Sequence, residues 1–322
     1  MPTMNAAVVT SFDEPPHYRE FEVPTPTGHH EVLAEVLAVG LHPRVKSGAS
    51  GSHYTSSGTL PAIPGVDGVG RLPDGRLAYF VADDDVIGTM AERAVVDVRR
   101  SVVLPDGVDV ARVAASMNPA MSSWVALRRR VQLKPGASVL VLGATGSAGT
   151  AAVQIARRLG AGRVVGAGRD RQRLDALLEL GADEVVRITD DRAETAAALA
   201  EVASDVDVAL DYLWSTPASD AIVAMLTARQ DRSRALDWVQ IGSMAGPTIE
   251  LPSAAFRSTN FRLLGAGQGS VSLHDYVAEL PSLVDELQSG AIGVAPRIVP
   301  LADVESAWSR VDAPNERTVI VP

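Results

Sequence analysis

Val139-Leu140-Val141-Leu142-Gly143-Ala144-Thr145-Gly146-Ser147-Ala148-Gly149 is the stretch on which the reading of this chain turns. An apolar run of the kind buried strands carry leads into glycines spaced G-x-x-G-x-x-G. A helical stretch from Thr150 to Leu159 follows, with Ala152, Ile155, Ala156 and Leu159 on one face. Glycines let the backbone approach an anion closely, and the free N–H groups at the positive end of a helix then bind it. Three glycines in seven residues also suit an ordinary turn, so the surrounding order matters. Strand, loop, helix and second strand together mark a dinucleotide pyrophosphate site, formed here by Gly143, Ala144, Thr145, Gly146, Ser147, Ala148 and Gly149.

Outward from this loop the same alternation continues. Ser138 to Leu142, Arg163 to Ala167, Glu184 to Arg187, Val206 to Leu210 and Trp238 to Ile241 are short, continuously apolar runs. Parallel strands covered on both faces read this way, and amphipathic helical segments separate them. The expectation is an α/β fold with a doubly wound parallel sheet. The first hundred residues differ. Ala6 to Val9, Glu31 to Val39, Gly68 to Arg71, Leu77 to Val81 and Ala91 to Val98 read as strands between Pro- and Gly-rich turns, predicting a small domain with a rolled β-sheet. Helices are expected over Val110 to Ala115 and Met121 to Val131, and short strands return after Arg297. The predicted division is a β-rich domain of residues 1–118 joined by 292–322, and a cofactor domain of residues 119–291.

The end of the second strand decides which dinucleotide. Sites for NAD place an acidic residue there, about 20 positions past the loop, to bind the ribose 2′-hydroxyl. Gly168 stands in that place, followed by Arg169-Asp170-Arg171-Gln172-Arg173. Arg169 and Arg173 offer charge to a 2′-phosphate, so NADPH is the expected cofactor; the other reading of these arginines is a solvated helix start.

Composition bounds the alternatives. With 46% hydrophobic residues in 322, the chain has material for more than one core and is not of disordered composition. A net charge of −10 argues against nucleic acid as a partner. No apolar run approaches a bilayer span, and the N-terminal residues lack a signal-peptide pattern, so neither membrane insertion nor export is expected and a cytoplasmic location is the default. There is no cysteine, which removes disulfides, thiolate nucleophiles and Cys-ligated zinc together.

The chain resembles the medium-chain dehydrogenase/reductase superfamily over nearly its whole length, most strongly the quinone oxidoreductase-like branch. The resemblance rests on Gly28-His29-His30-Glu31-Val32-Leu33, Leu60-Pro61-Ala62-Ile63-Pro64-Gly65-Val66-Asp67-Gly68-Val69-Gly70, Gly143 to Gly149 with Ala152-Val153-Gln154-Ile155-Ala156, and Pro300-Leu301-Ala302-Asp303-Val304, in that order. It implies a Rossmann domain beside a GroES-like catalytic domain. Zinc-dependent members carry a catalytic metal on a Gly-His-Glu segment; here it reads Gly65-Val66-Asp67, so no metal is expected. The resemblance also implies that Ile241, Gly242, Ser243, Gly265, Ala266 and Gly267 lie by the nicotinamide, with Ser122 in place of a family Thr and Arg317 matching a basic residue near the cofactor phosphates. One segment departs from the family: an Asn-Pro-x-Asp/Glu pattern is replaced by His42-Pro43-Arg44-Val45, without the acid.

The expected reaction is hydride transfer from NADPH to a small electrophile, either a quinone or an α,β-unsaturated carbonyl compound. Tyr54 is a candidate proton donor, or else packs over its loop; His42, Tyr79, Trp124 and Trp214 are candidates to line the substrate pocket. Two rival readings remain, an enoyl-thioester reductase and a non-catalytic NADPH-binding sensor or structural protein. Association as a homodimer through an edge of the cofactor-domain sheet is expected from the resemblance.

Overall fold

Apolar side chains at alternate positions make the first hundred residues into short antiparallel strands. In the computed structural model, which describes all residues except Tyr54, residues 83–86, Gln268 and Pro314, β1 (Thr3–Val8) pairs with β2 (His17–Glu22) as a separate ribbon. β3 (Glu31–Gly40) leads into a short helix, α1 (Pro43–Ala49), which starts with proline at a position whose N–H has no helical partner. β4 (Asp67–Arg71) and β5 (Leu77–Val81) form a hairpin, and β6 (Arg93–Asp97) returns to lie beside β3, from Glu31 opposite Asp97 to Glu35 opposite Arg93. β7 (Ser101–Val103) pairs with β5. Sequence periodicity did not foretell β2, whose His-Tyr-Arg-Glu-Phe-Glu is largely exposed, nor α1.

The chain then enters α2 (Val110–Val125) and a wider helical turn over Ala126–Arg130. Two helices were expected here. One continuous helix passes through Pro119 instead, although an interior proline forfeits a backbone hydrogen bond. The chain divides into two units, residues 1–118 with 277–322, and residues 119–276; the first division falls inside this helix.

The second unit is built on six parallel strands. β8 (Ser138–Leu142), α3 (Ser147–Arg158), β9 (Arg163–Gly168), α4 (Arg171–Glu179), β10 (Glu184–Arg187), α5 (Arg192–Ala203), β11 (Val208–Asp211), α6 (Ser215–Ala228), β12 (Leu236–Gln240) and β13 (Phe261–Gly265) follow in sequence. Their sheet runs β10-β9-β8-β11-β12-β13, so the order reverses between β8 and β11. Ligands of doubly wound sheets bind outside the carboxyl ends of the strands at such a reversal. Leu140, Leu210, Trp238 and Ile222 are fully buried in its core. Burial of this kind stabilises by roughly 1.5–3 kcal/mol for each large apolar side chain.

Helix α7 (Leu273–Gln288) carries the chain back to the first unit, where β14 (Ala295–Pro300), α8 (Val304–Trp308) and β15 (Glu316–Val321) complete the seven-stranded sheet. β15 sits between β14 and β3, with Val319 opposite Gly40 and Ile320 opposite Val39. Phe80, Met90, Val36 and Ile320 lie together in this unit's core.

Candidate functional site

The glycine loop joins β8 to α3, and its shape depends on what glycine lacks. Gly143 has φ +91°, a region that side chains with a Cβ rarely enter. A Cβ on Gly149 would lie 2.3 Å from the carbonyl oxygen of Gly143 and 2.6 Å from Cα of Ala144, so loop and helix pack backbone to backbone. The loop is pinned to the neighbouring strand, with Gly143 N–H and Ala144 N–H both donating to Ala167 O at 2.9 and 2.8 Å. First-turn N–H groups of a helix have no intrahelical acceptor, and Gly146 at the N-cap has no side chain to supply one. The donors of Ser147 and Ala148 are suited to an anion, and a pyrophosphate fits this cradle.

At the end of β9 a Cβ on Gly168 would meet Thr145 Cγ2 at 2.5 Å and Oγ1 at 2.7 Å. Thr145 therefore fills the space from which an acidic side chain would reach a ribose. Arg173 Nη1 donates to Thr145 O at 3.2 Å, tying α4 to the loop, while Asp170 caps that helix through Arg173 N–H at 3.0 Å. Arg169 and Arg171 are exposed beside them.

The remaining strand ends come together in the same unit. Asp211, at the end of β11 and fully buried, accepts from the N–H groups of Leu213 and Trp214 at 2.8 and 2.9 Å and from Trp238 Nε1 at 3.0 Å. Burial, the largest influence, pushes its carboxyl above the usual range against these three bonds. Asp211 thereby holds a turn in which Trp214 has φ 59° and ψ −164° and Ser215 has φ 53°. Such conformations cost on the order of 1–3 kcal/mol for a residue with a side chain and concentrate at functional sites. Ile241 and Gly242 donate to Asp211 O, Ala266 donates to Gln240 O at 2.9 Å, Arg130 Nε holds Gly265 O at 2.8 Å, and Gly267 N–H meets Ser270 Oγ at 2.8 Å. Ser243 follows in the same loop, where its carbonyl accepts from Gly246 N–H at 3.1 Å.

Tyr212 is a residue that sequence reasoning missed. Its hydroxyl lies 3.1 Å from Ser122 Oγ, and its Cβ and carbonyl are what a Cβ on Gly143 or on Gly242 would strike, at 3.2 and 2.8 Å. It thus stands where the glycine loop, the Gly242 loop and Ser122 converge. Burial pushes its phenol up to about 12, so it remains a neutral hydrogen-bonding group. The signal available was position: a polar pair directly after a buried apolar strand lies at a carboxyl end. Trp124 is buried on α2 under the guanidinium of Arg128, 5.0 Å from its ring, and Trp214 is half-buried against the sheet's apolar cluster.

The first unit gathers His42, Tyr79 and a residue not assigned a role from sequence, Asp67. His42 Nε2 lies 3.1 Å from Asp67 Oδ1, and Tyr79 OH donates to Asp67 Oδ2 at 2.7 Å. All three are buried, and burial followed by the Asp67 charge raises the Tyr79 phenol well above its ordinary value. Both carboxylate oxygens of Asp67 are thus engaged within the protein. With Val66 beside it and no cysteine in the chain, this donor set does not fit a catalytic zinc ion. Among the described residues no group of three or more His, Asp or Glu side chains gathers to hold a metal. Arg317 lies in this unit on β15, 6% exposed, donating to Leu41 O at 3.2 Å; burial lowers its pKa, opposed by Asp312 and Asp67. Tyr54 lies outside the described residues.

Residues 148–286 match a family model described as zinc-binding dehydrogenase. The chain is 32% identical to a probable NADPH-dependent quinone reductase of Emericella nidulans, over 99% of this chain and 100% of that protein. It is 32% identical to human quinone oxidoreductase over 52% of each. A quinone oxidoreductase of Thermus thermophilus, solved alone and in complex with NADPH, superposes with a TM-score of 0.76 at 24% identity, covering 99% of this chain and 100% of that one. A mycobacterial quinone oxidoreductase superposes at 0.82 and 21% identity, with the same coverage. Both share the mixed architecture of a parallel α/β sheet and a separate β-rich sheet.

Proposed function

This chain belongs to the medium-chain dehydrogenase/reductase superfamily, in its quinone oxidoreductase-like branch, and on that premise we propose that it is a zinc-independent, NADPH-dependent reductase of quinones or α,β-unsaturated carbonyl compounds. The observation that carries the cofactor assignment is the contact of Gly168 with Thr145, which removes the acid an NAD site needs and leaves Arg169 and Arg173 beside the opening. Arg169→Ala is expected to lower the preference for NADPH over NADH by about ten- to a hundredfold, the worth of one charge-assisted hydrogen bond of roughly 1.5–3 kcal/mol. Dissociation constants for the two reduced cofactors, measured by nicotinamide fluorescence, test this. An unchanged preference would assign the phosphate to other residues.

When bound, NADPH supplies the hydride. The chain's part is to position and to desolvate. The Gly143 to Gly149 loop would anchor the pyrophosphate, and Ser122, held by Tyr212, resembles the family's Thr at the nicotinamide. Trp214, set in its strained turn by Asp211, is read as part of the wall that orients a flat electrophile. Orientation of two reactants removes much of the entropic barrier to their reaction. Metal independence is supported by Val66 and by the engagement of Asp67 with His42 and Tyr79. The outer strand β13 of the parallel sheet offers an open edge for a second copy, which is the basis for proposing a homodimer.

The reading is tested by following NADPH oxidation against a panel of quinones, enones and enoyl thioesters, with and without a chelator. Turnover on the quinones or enones that the chelator leaves unchanged is the expected result. Loss of turnover on chelation would overturn metal independence, and tight NADPH binding without oxidation of any acceptor would overturn the reductase.

A further inference from the structure

We propose that Arg187, at the carboxyl end of β10, reads the 2′-phosphate of NADPH from the strand beside β9, together with Arg169; the inference rests on the NADPH reading above and concerns the unit of residues 119–276 alone. In that unit Arg157, Arg163, Arg192, Arg234 and Arg262 pair with carboxylates. Among its described residues, the arginine side chains that make no hydrogen bond or ion pair are those of Arg169, Arg171, Arg187 and Arg232. Three of these four surround the end of β9, where Gly168 stands. In a chain of net charge −10, unmatched positive charge thus collects at one strand end of this sheet.

Position singles out Arg187 within that group. β10 runs parallel to β9 with Arg187 opposite Gly168, and Ile188 N–H donates to Gly168 O at 2.7 Å, so the pairing holds to the strand ends. Residues opposite each other in paired strands share a face of the sheet, and so do residues two apart in one strand. Val185 Cγ1 lies 3.8 Å from where a Cβ on Gly166 would sit, which fixes the shared face. Arg187 and Gly168 are each two residues further on. Arg187 therefore leaves the sheet on the side from which an acid at position 168 would reach a ribose, displaced by one strand spacing of about 4.8 Å. Thr145 fills the Cβ space of Gly168 on that side without bringing a charge, and the exposed guanidinium of Arg187 is the charged group next along the sheet.

Arg173 has a different part. Its Nη1 holds Thr145 O at 3.2 Å and its Nε lies 3.9 Å from Asp170 Oδ2, so it ties α4 to the glycine loop. Asp170, the acid within this group of arginines, is engaged by Arg173 N–H at 3.0 Å. A guanidinium presents a rigid fork of donors that matches phosphate oxygens two at a time. Forks from adjacent strands, Arg169 after β9 and Arg187 ending β10, suit a phosphate dianion and gain little from the hydroxyl that NADH carries instead.

The test measures dissociation constants for NADPH and NADH by nicotinamide fluorescence and for adenosine 2′,5′-bisphosphate by calorimetry, none of which needs turnover. Arg187→Ala is expected to weaken NADPH and the bisphosphate by about ten- to a hundredfold, the worth of one charge-assisted hydrogen bond, and to leave NADH unchanged. Arg187→Lys, which keeps the charge and loses the fork, should fall between. Arg187 is exposed and has no partner to strand, so the melting temperature of Arg187→Ala should equal that of wild type. Arg232→Ala is the control: it removes the same charge from the loop before β12, at the amino ends of the parallel strands, and should move no constant. Retained NADPH affinity in Arg187→Ala, or equal losses for NADPH and NADH, would overturn the assignment and leave the NADPH reading standing. A wild type that binds NADH as tightly as NADPH would overturn that reading itself, and this inference with it.

Discussion

Gly149→Ala is expected to weaken NADPH binding by about a hundredfold or more and to lower the melting temperature. The added methyl group would sit 2.3 Å from Gly143 O and 2.6 Å from Ala144 Cα. Neither is the movable end of a side chain. Relief requires α3 to part from the loop, and the loop is pinned through Gly143 and Ala144 to Ala167 O. Overpacking of this type costs about 1–3 kcal/mol, and here the displaced atoms are the ones proposed to cradle the pyrophosphate. Stability and affinity should therefore fall together, by melting and by fluorescence titration. Gly146→Ala is the control: a Cβ there meets only Gly143 O, at 3.7 Å, so the expected change in melting temperature is small. Full affinity in Gly149→Ala would remove the loop from the binding site.

Asp211→Ala should be the most destabilising single change at the strand ends. It strands the N–H groups of Leu213 and Trp214 and the indole N–H of Trp238, all now satisfied by one carboxylate. An unsatisfied buried donor costs about 1–3 kcal/mol; the indole N–H is buried and the two backbone N–H groups partly so, and a loss of about 3 kcal/mol is expected. For a unit of this size that corresponds to roughly 6–12 °C in melting temperature. The turn at Trp214 and Ser215 also loses its clamp, so turnover should fall even where folding is restored by cooling. The pH dependence has a definite sign. Burial raises the Asp211 carboxyl above 3.8, so between that value and its native one the folded state holds the extra proton. Stability contributed by this group therefore declines as pH rises through that window, and the decline should vanish in Asp211→Ala. Thermal melts at a series of acidic pH values measure both effects; identical slopes in the two proteins would contradict the assignment.

The parallel sheet was legible because most of its strands carry adjacent apolar residues rather than an apolar–polar alternation, a pattern that survives without knowledge of neighbours. Ser138–Leu142 and Glu184–Arg187 were bounded to the residue. β13 escaped the periodicity because Arg262 interrupts a short run at the sheet's edge, where its guanidinium pairs with Asp237. The gap expected between Ala115 and Met121 is absent, because Pro119 is accommodated inside α2. Glycines 143, 149 and 168 could be read as a site because their spacing is local. Asp67, Asp211 and Tyr212 could not, because their roles come from partners 12, 25, 27 and 90 residues away.

The interleaving of the two units bears on how the chain is made. Residues 119–276 form one uninterrupted unit, whereas the other needs 277–322 to return to 1–118. On a ribosome the later unit is thus complete first, and the earlier one waits with β3 lacking β15, from Val39 to Gly40, until the last residues emerge. Unpaired strand edges and open apolar faces are what nascent chains aggregate through, and domains generally fold as units. The nascent N-terminal sheet is therefore the segment for which chaperone capture during synthesis matters most, and losing the final strand would leave that waiting state permanent.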